Sequence, residues 1–468
     1  MKKICALFLV LCCMMPYFAG TVSAAEAVDD TAVYSGCTTL DASQPLLGTE
    51  QLVQNADSII LYETSSETLM YAWNADQKVD PASLVKIMTG FIVAEQGAMD
   101  DAVTVTQDVL SSVSADALTV GLMPDEILTV EQLMYCMLVA SANDAAAVLA
   151  DHVSGSQTAF VEEMNAVAQE LGCTQTHFAN VHGLHDPNQY STARDLARIL
   201  DAALENETFR EIFGTVYYTI PQTNKALQRD LVTGNYHLCA DEQENYRDKR
   251  VIGGRTGVTG DGKRSLATVA TDGNMELLCI LLGSESEIDE NGYSVRVYGG
   301  YHETSDILDH GFDGLKLTQV IRADQVLTQK SVAGGECDVV LGTLDSVFAI
   351  MPDTLTSDDL TLKLIQGDNL TAPIQKGDIL SEVEIWYGNL CIATTQVYAM
   401  NSVDLLQDQT QHKAPTAGSS GLKDFWIILI VIIAVVLLAV FLRSGAWRRR
   451  RRAASRNNAY RKARRRSR

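Results

Sequence analysis

The sequence has few basic residues outside one short segment. Residues 443–468 contain 13 of the 36 lysines and arginines and no acidic residue. The rest of the chain therefore sets 23 basic residues against all 59 acidic ones, a formal charge of −36. Because nucleic-acid binding needs a basic surface to match the phosphates, no nucleic-acid partner is expected.

Proline is also scarce, at 9 of 468 residues, whereas 47% of the residues are hydrophobic. This composition excludes a disordered or low-complexity protein, since such chains lack the apolar residues that bury a core. The length allows two or three domains of roughly 100–200 residues each.

The spacings typical of metal-binding cysteines are missing. Apart from Cys5, Cys12 and Cys13, the cysteines are odd in number, scattered and without CxxC spacing, so they predict neither a zinc site nor a disulfide framework. Cys136 and Cys279 lie in apolar stretches and are expected to be buried core residues. No metal or organic cofactor is implied.

Two apolar segments predict export and membrane attachment. Lys2 and Lys3 precede the apolar run Ile4–Phe18, and small residues follow up to Ala24, as in a secretory signal peptide. Those small residues disfavour the alternative, an uncleaved anchor. Phe425–Leu442 is an apolar run of 18 residues, long enough as a helix to span a bilayer. The positive-inside rule then places the basic tail in the cytoplasm and the main body outside a cell membrane that the chain crosses once.

The patterns between these segments predict two folded domains. Strand-like stretches, a helical block and further strands describe an α+β domain, and short strands with turns then describe a small all-β domain. The proposed boundaries are a signal peptide at 1–24, a flexible leader at 25–55, the α+β domain at 56–312, the β domain at 315–403, a flexible stalk at 404–424, a transmembrane helix at 425–442 and the tail at 443–468. The predicted helical stretches are Ala82–Glu95, Val130–Ala150 and Thr158–Leu171, and the predicted strands are Ser58–Tyr62, Thr68–Trp73, Leu266–Thr271, Glu276–Leu282, Cys337–Leu341, Ser346–Ile350, Leu360–Leu364, Glu382–Tyr387 and Cys391–Tyr398.

The first motif with catalytic chemistry is Pro81-Ala82-Ser83-Leu84-Val85-Lys86. Proline favours a first helical turn, so Ser83 should lie near a helix N-terminus with Lys86 on the same face. A serine hydroxyl needs a base to take its proton, and lysine can be that base where burial or a nearby cation lowers its pKa. A second SxxK, Ser420 to Lys423, lies in the predicted stalk, so the motif alone also fits a solvated helix face.

The second motif is Ser141-Ala142-Asn143. Ser141 could relay a proton between Lys86 and a leaving group, and the Asn143 amide could hold a substrate carbonyl. The alternative is an N-cap for a helix over Asp144–Asp151. The same SxN pattern recurs at Ser455 in the basic tail.

The third motif is Arg255-Thr256-Gly257-Val258. On an edge strand it would offer a cation and a hydroxyl to a substrate carboxylate, and backbone N–H groups to a bound carbonyl. The alternative is a glycine-rich turn between two strands.

The three motifs together resemble those of the serine-type D-alanyl-D-alanine carboxypeptidases, the low-molecular-mass penicillin-binding proteins. Their first residues are spaced by 58 and 114 positions. The second SxxK pattern, at Ser420, and the second SxN pattern, at Ser455, both fall outside the predicted folded domains. The resemblance extends over roughly residues 56–400. It includes the segments Lys86-Ile87-Met88-Thr89, Leu138–Ala147, Asn180-Val181-His182-Gly183-Leu184, Ser191-Thr192-Ala193, Ala372-Pro373-Ile374 and Lys376-Gly377.

The resemblance implies a penicillin-binding, β-lactamase-like transpeptidase domain followed by a small all-β domain. It implies that Ser83 forms the acyl-enzyme, that Lys86 accepts its proton, and that Ser141 and Asn143 complete the relay and substrate binding. It further implies that β-strand residues Arg255, Thr256 and Gly257 hold the terminal carboxylate, and that the N–H groups of Ser83 and Val258 form the oxyanion hole. The role of His182 stays open between structural and functional.

This chain departs from the family pattern at position 255, where the family usually has lysine and less often histidine. Arginine can grip a carboxylate with two hydrogen bonds but cannot release a proton near neutral pH. We therefore expect Arg255 to be an electrostatic anchor for the substrate. Val85 in place of threonine and Val181 in place of proline should matter little, and a spanning helix replaces the amphipathic anchor of many relatives.

The expected function is removal of the terminal D-alanine from peptidoglycan stem pentapeptides, with β-lactam antibiotics as acylating inhibitors. One alternative is a catalytically silent wall-binding protein of the same fold, which Arg255 favours. Another is a β-lactamase, for which a glutamate activates the deacylating water. Glu162-Glu163-Met164-Asn165 is the nearest candidate for that glutamate, although it fits a helix face and the β domain is unexpected.

Overall fold

The computed structural model describes residues 39–41, 45–239, 245–290, 295–365, 370–388 and 390–406. The predicted signal peptide, transmembrane helix and basic tail lie outside these residues. Among the described residues, no helix combines the length and the apolar character needed to cross a bilayer.

The first domain alternates short strands and helices around one central sheet. Its elements in chain order are β1 (Ser58–Glu63), β2 (Thr68–Trp73), α1 (Val85–Gln96), β3 (Ala102–Thr104), α2 (Gln107–Ser112), β4 (Ile127–Thr129), α3 (Val130–Leu138), α4 (Asn143–Ser154), α5 (Gln157–Glu170), α6 (Ala193–Leu204), α7 (Glu207–Phe213), β5 (Tyr217–Ile220), β6 (Arg229–Val232), α8 (Tyr236–Cys239), β7 (Val251–Val258), β8 (Arg264–Thr271), β9 (Glu276–Ser284), β10 (Glu287–Ile288), β11 (Val295–Val297) and α9 (Tyr301–Phe312). This is the α+β arrangement that the sequence predicts.

The central sheet is antiparallel, with the order β2-β1-β9-β8-β7, so β7 is an edge strand. Both faces of this central sheet are covered by apolar cores. Ile60 and Ile280 project into the core formed with the helical block, whereas Leu61 and Leu281 project into a second core with α9. Because successive side chains point to opposite faces, a strand covered on both faces is apolar along most of its length, as β9 is from Leu277 to Leu282. Cys136 and Cys279 are fully buried, as predicted.

Helix α1 lies at the centre of the helical block and begins beside the edge of the sheet. A 3₁₀ turn over Ala82–Leu84 leads into it, so Ser83 lies at its N-terminal end, as predicted. The helix is buried along most of its length, from Val85 to Ala94, with Phe91 only partly covered. Its first turn is therefore held by packing on nearly every side.

The predicted helical stretch Val130–Ala150 is wrong as a single helix. Helix α3 ends at Leu138 and α4 begins at Asn143, because Ser141 adopts a left-handed backbone (φ 60) that a right-handed helix cannot continue. The N-cap of α4 is Ala142, without a side-chain cap, so the capping interpretation of Ser141 is also wrong. No glycine or proline marks this break in the sequence.

The second domain is all β, with seven strands in two sheets among its described residues. These are β12 (Leu315–Ile321), β13 (Val326–Lys330), β14 (Val339–Gly342), β15 (Val347–Pro352), β16 (Thr361–Ile365), β17 (Ile379–Tyr387) and β18 (Leu390–Ala399). The order is β13-β14-β18-β17-β16 in one sheet, and β12 pairs with β15 in the other. Ala349 of the pair and Ile385 of the larger sheet share one core. The sequence patterns missed β12 and β13, where polar residues interrupt the apolar positions.

A buried ion pair joins the segment before β4 to the β5–β6 hairpin. Glu126 is 0% exposed and binds Arg229 through both oxygens, at 2.6 and 2.8 Å. Thr223 and the backbone N–H of Met123 also donate to this carboxylate, at 2.7 and 3.0 Å. Arg229 further donates to the carbonyl of Gly121 at 3.0 Å. The pair therefore fixes the loop of residues 114–126, which reaches the candidate active site.

Removing one partner of this pair should destabilise the protein strongly. Arg229→Met leaves a buried carboxylate without its cation and should lower the free energy of unfolding by about 3–5 kcal/mol. Glu126→Leu with Arg229→Met should recover most of that loss, as measured by urea unfolding. The control is Lys225→Ala, because the pair of Lys225 with Asp125 is exposed and 3.5 Å long, and should contribute less than about 1 kcal/mol. A loss for Arg229→Met as small as that of the control would contradict this prediction.

Candidate active site

The side chain of Lys86 is fully buried and touches Ser83. Its Nζ lies 3.3 Å from Ser83 Oγ, donates to Asn143 Oδ1 at 2.9 Å, and donates to the backbone carbonyl of His182. All three partners are uncharged. An uncharged amine has two N–H donors and one lone pair, so with the donors on Asn143 and His182 the lone pair can accept the proton of Ser83.

The surroundings of Lys86 favour this uncharged form. Burial is the main cause that lowers the pKa of Lys86 well below its ordinary value, and the positive charge of Arg255 lowers it further. The charge of Asp144 acts in the opposite direction. The predicted base thus lies where a lysine can act as one.

Two glycines allow neighbouring segments of the chain to pack closely against the backbone around Ser83. Ala82 has a left-handed backbone (φ 47), and a Cβ atom at Gly183 would lie 2.0 Å from the Ala82 carbonyl oxygen. A Cβ atom at Gly257 would lie 3.0 Å from the backbone nitrogen of Ser83. The chain can approach Ser83 this closely only where it has no side chain, and Gly183 is a contributor that the sequence analysis did not assign.

Ser141 and Asn143 reach the same site from the turn between α3 and α4. The Ser141 hydroxyl lies 3.5 Å from Ser83 Oγ. Asn143 is 4% exposed, and its Nδ2 donates to the carbonyl of Leu118 at 2.9 Å while its Oδ1 accepts from Lys86. The structure therefore brings Ser83, Lys86, Ser141 and Asn143 together, and it uses the Asn143 amide to orient the base and the 114–126 loop.

Asp144 is a second residue without an assigned role in the sequence analysis. It is buried and accepts from the backbone N–H groups of Val120 and Leu122 at 3.3 and 3.1 Å. It therefore ties the 114–126 loop to the start of α4. Its place within Leu138–Ala147, one of the segments that resemble the family, was the available signal.

The third motif lies on the edge strand β7, so the alternative of a glycine-rich turn is wrong. Arg255 pairs with Ala267 across the sheet and shares its face toward the helical core. It is 4% exposed and donates through Nη1 to the carbonyl of Leu138. Burial lowers the pKa of Arg255 to about 9, which leaves the guanidinium charged at neutral pH. Thr256 is half-buried and Val258 is 50% exposed.

His182 contributes through its backbone. Its ring is largely buried and accepts from the N–H of Leu184 through Nδ1 at 3.2 Å. Burial, followed by the charge of Lys86, lowers the pKa of His182 to about 4. The ring is therefore neutral at physiological pH, and the direct contact with the base is the His182 carbonyl.

The segment considered for a β-lactamase glutamate lies within α5. Glu163 accepts from Ser154 at 2.7 Å, and Asn165 bonds to the backbone of Phe178 in both directions. Glu162 is exposed and Met164 is buried. These residues therefore form one face of a helix, as the sequence analysis gave as the alternative to a catalytic glutamate.

Two family models match the chain. The model of D-alanyl-D-alanine carboxypeptidase matches residues 46–286. The model of the C-terminal domain of penicillin-binding protein 5 matches residues 316–405.

Curated relatives and solved structures agree with these matches. The chain is 30% identical over 358 residues to D-alanyl-D-alanine carboxypeptidase DacA of Haemophilus influenzae, covering 74% of this chain and 85% of the relative. It is 29% identical over 359 residues to DacC of Escherichia coli, covering 75% and 84%. The crystal structure of penicillin-binding protein 5 from Haemophilus influenzae superposes with a TM-score of 0.65 at 28% identity, covering 76% of this chain and all of that one.

A methyl group at Gly183 should impair acylation of Ser83. Gly183→Ala places its Cβ against the Ala82 carbonyl and requires a left-handed alanine (φ 85), so the nucleophile should shift. A displacement of about 1 Å can cost roughly 100-fold in rate, and we expect a loss of that size in labelling by a fluorescent penicillin. The control is Gly155→Ala, which has the same backbone type (φ 74) in open space and should cost about 1 kcal/mol of stability with normal labelling. Equal labelling rates in the two variants would contradict the prediction.

Proposed function

The chain belongs to the D-alanyl-D-alanine carboxypeptidase family, and we propose that it removes the terminal D-alanine of peptidoglycan stem pentapeptides through an acyl-Ser83 intermediate. The observation that carries this proposal is the buried Lys86 amine, 3.3 Å from Ser83 Oγ and surrounded by uncharged partners. A base of this kind can activate the serine without a histidine–carboxylate pair.

In the acylation step, Ser83 Oγ attacks the carbonyl carbon between the two D-alanines while its proton passes to Lys86 Nζ. The C–N bond then breaks, and the leaving amine takes a proton from Lys86, with Ser141 as the relay beside both groups. Water next adds to the ester carbon with the same base, which releases the shortened peptide and restores the Ser83 hydroxyl.

The edge strand supplies the other contacts. As an edge strand, β7 has unpaired backbone groups along one side, where an extended peptide can lie. The N–H groups of Ser83 and Val258 are the proposed oxyanion hole. Thr256 and the charge of Arg255 are proposed to attract the terminal carboxylate. A β-lactam presents an amide and a carboxylate in a similar arrangement, so it should acylate Ser83 as well.

The first test is replacement of Ser83. Full-length Ser83→Ala should release no D-alanine from a diacyl-Lys-D-Ala-D-Ala peptide and should take up no penicillin, because the acyl acceptor is gone. The control is Ser420→Ala, which removes the serine of the decoy SxxK motif and should match the wild type. Release of D-alanine by a folded Ser83→Ala protein would contradict the assignment of the nucleophile. Absence of both release and penicillin uptake in the folded wild type would instead favour the silent wall-binding protein.

The proposed location is the outer side of the cell membrane, with the chain crossing it once. This location is supported by the apolar run Phe425–Leu442 and by the tail that follows it, which has 13 basic and no acidic residues. With the proposed signal peptide at residues 1–24, this topology places the catalytic domain on the cell-wall side and the tail in the cytoplasm.

Two truncations should test that topology. Deletion of 425–468 should release the penicillin-labelled protein from the membrane, because the proposed span is removed. Deletion of 443–468 alone should leave the protein resistant to extraction at alkaline pH, since the apolar run remains. Membrane retention of the longer deletion would contradict the proposed anchor.

A further inference from the structure

The segment 78–82, which leads to Ser83, pairs with the loop 183–191 between α5 and α6. Val79 and Ser191 exchange two backbone hydrogen bonds, at 2.9 and 3.0 Å. The start of the loop lies beside the turn that carries the nucleophile. A change in the position of this loop is therefore transmitted directly to the residues around Ser83.

One carboxylate joins the two segments at this turn. Asp80 Oδ1 accepts from the backbone N–H of Ala82 at 2.9 Å, and Asp80 Oδ2 accepts from His185 Nδ1 at 2.8 Å. Gly183, two residues before His185, packs against the carbonyl group of Ala82. Ala82 is therefore held at its N–H by Asp80 and enclosed at its carbonyl by the loop to which His185 belongs.

The backbone of Ala82 needs such support. Its left-handed conformation (φ 47) is uncommon for a residue with a side chain, and a backbone of this kind persists only where the surrounding contacts fix it. Because Ala82 immediately precedes Ser83, a change in its backbone would move the Ser83 hydroxyl. The same loop is adjacent to the His182 carbonyl that binds Lys86, so its position affects the nucleophile and the base together.

The contact between Asp80 and His185 lies at the surface, where it responds to the pH of the solvent. The side chain of His185 is 69% exposed and that of Asp80 is 20% exposed. The hydrogen bond and the charge of Asp80 raise the pKa of His185, desolvation lowers it, and the charge of Asp186 raises it further. Lys78, a cation of the paired segment, lies over the ring of Tyr190, 4.1 Å from its centre. Carboxylates on both segments thus favour the imidazolium form.

We propose that Asp80 and His185 form a pH-sensitive clasp that positions Ser83, in which protonated His185 holds the Asp80 carboxylate in the orientation that fixes Ala82. The inference rests on the proposed function, because it takes Ser83 as the nucleophile. Both are positioning residues, since they act on Ser83 through Ala82. Because the pKa of His185 is raised in the folded protein, the clasp is complete below the ordinary pKa of histidine. As the pH rises through the raised value, the charge-assisted bond gives way to a weaker neutral one.

The pH dependence of acylation tests the clasp. The rate constant for acylation by a chromogenic cephalosporin is measured on the full-length protein in detergent from about pH 5 to about pH 9. In His185→Gln, the amide can still donate to Asp80 but carries no charge at any pH. The matched control is His310→Gln, which replaces an exposed histidine near the end of α9. Each variant is compared with the wild type as a ratio of rate constants, in which the titration of Lys86 cancels.

The ratio of wild type to His185→Gln should be about threefold at about pH 5 and should approach one at about pH 9, as His185 loses its proton. His310→Gln should give a ratio of one throughout. Asp80→Asn keeps an acceptor for the N–H of Ala82 but removes the charge. Addition of His185→Gln to Asp80→Asn should therefore cause no pH-dependent change, because the two residues act as one unit.

A ratio for His185→Gln that does not vary with pH would overturn the inference, since a histidine with only a structural role costs the same at every pH. A pH-dependent effect that persists in the Asp80→Asn background would overturn it as well. If Asp80→Asn does not fold, as judged by its thermal unfolding, the profile of His185→Gln alone decides. Absence of any acylation in the wild type would contradict the proposed function instead, so the two failures are distinguishable.

Discussion

The active site depends on one buried lysine, Lys86, whose surroundings favour the uncharged amine. Burial without a carboxylate in direct contact disfavours the ammonium form, so the pKa of Lys86 is lowered well below its ordinary value, in the direction that a base requires. The first turn of α1 is therefore buried on nearly every side. The donors that Lys86 retains are directed to an amide and a carbonyl, so its lone pair points to the serine.

Two further parts of the chain complete the site around that lysine, and each is held by buried polar contacts. The turn between α3 and α4 is held by Arg255 from the sheet and by Leu118 from the 114–126 loop. That loop is fixed in turn by Asp144 and by the buried pair of Glu126 and Arg229. The site is thus assembled from elements that are each tied to another by a buried polar contact.

Much of the fold and of the active site could be predicted from local sequence patterns. The features that could not be predicted depend on contacts between residues distant in the chain. The strand Thr68–Trp73 follows from its strand-like apolar residues after a polar turn, and the face shared by Ser83 and Lys86 follows from helical spacing. The break at Ser141 could not be predicted, since alanine, serine and asparagine are compatible with a helix and only tertiary contacts impose the left-handed backbone. The pair of Glu126 and Arg229 spans 103 positions, and nothing in either local segment signals it.

The close approach of Gly183 and Gly257 to the nucleophile has a consequence for antibiotic resistance. A bulkier residue at either position would obstruct the backbone beside Ser83, where a β-lactam is also proposed to bind. The same change would displace the serine on which the proposed carboxypeptidase reaction depends. Steric exclusion of the drug at these two positions would therefore impair the proposed reaction as well.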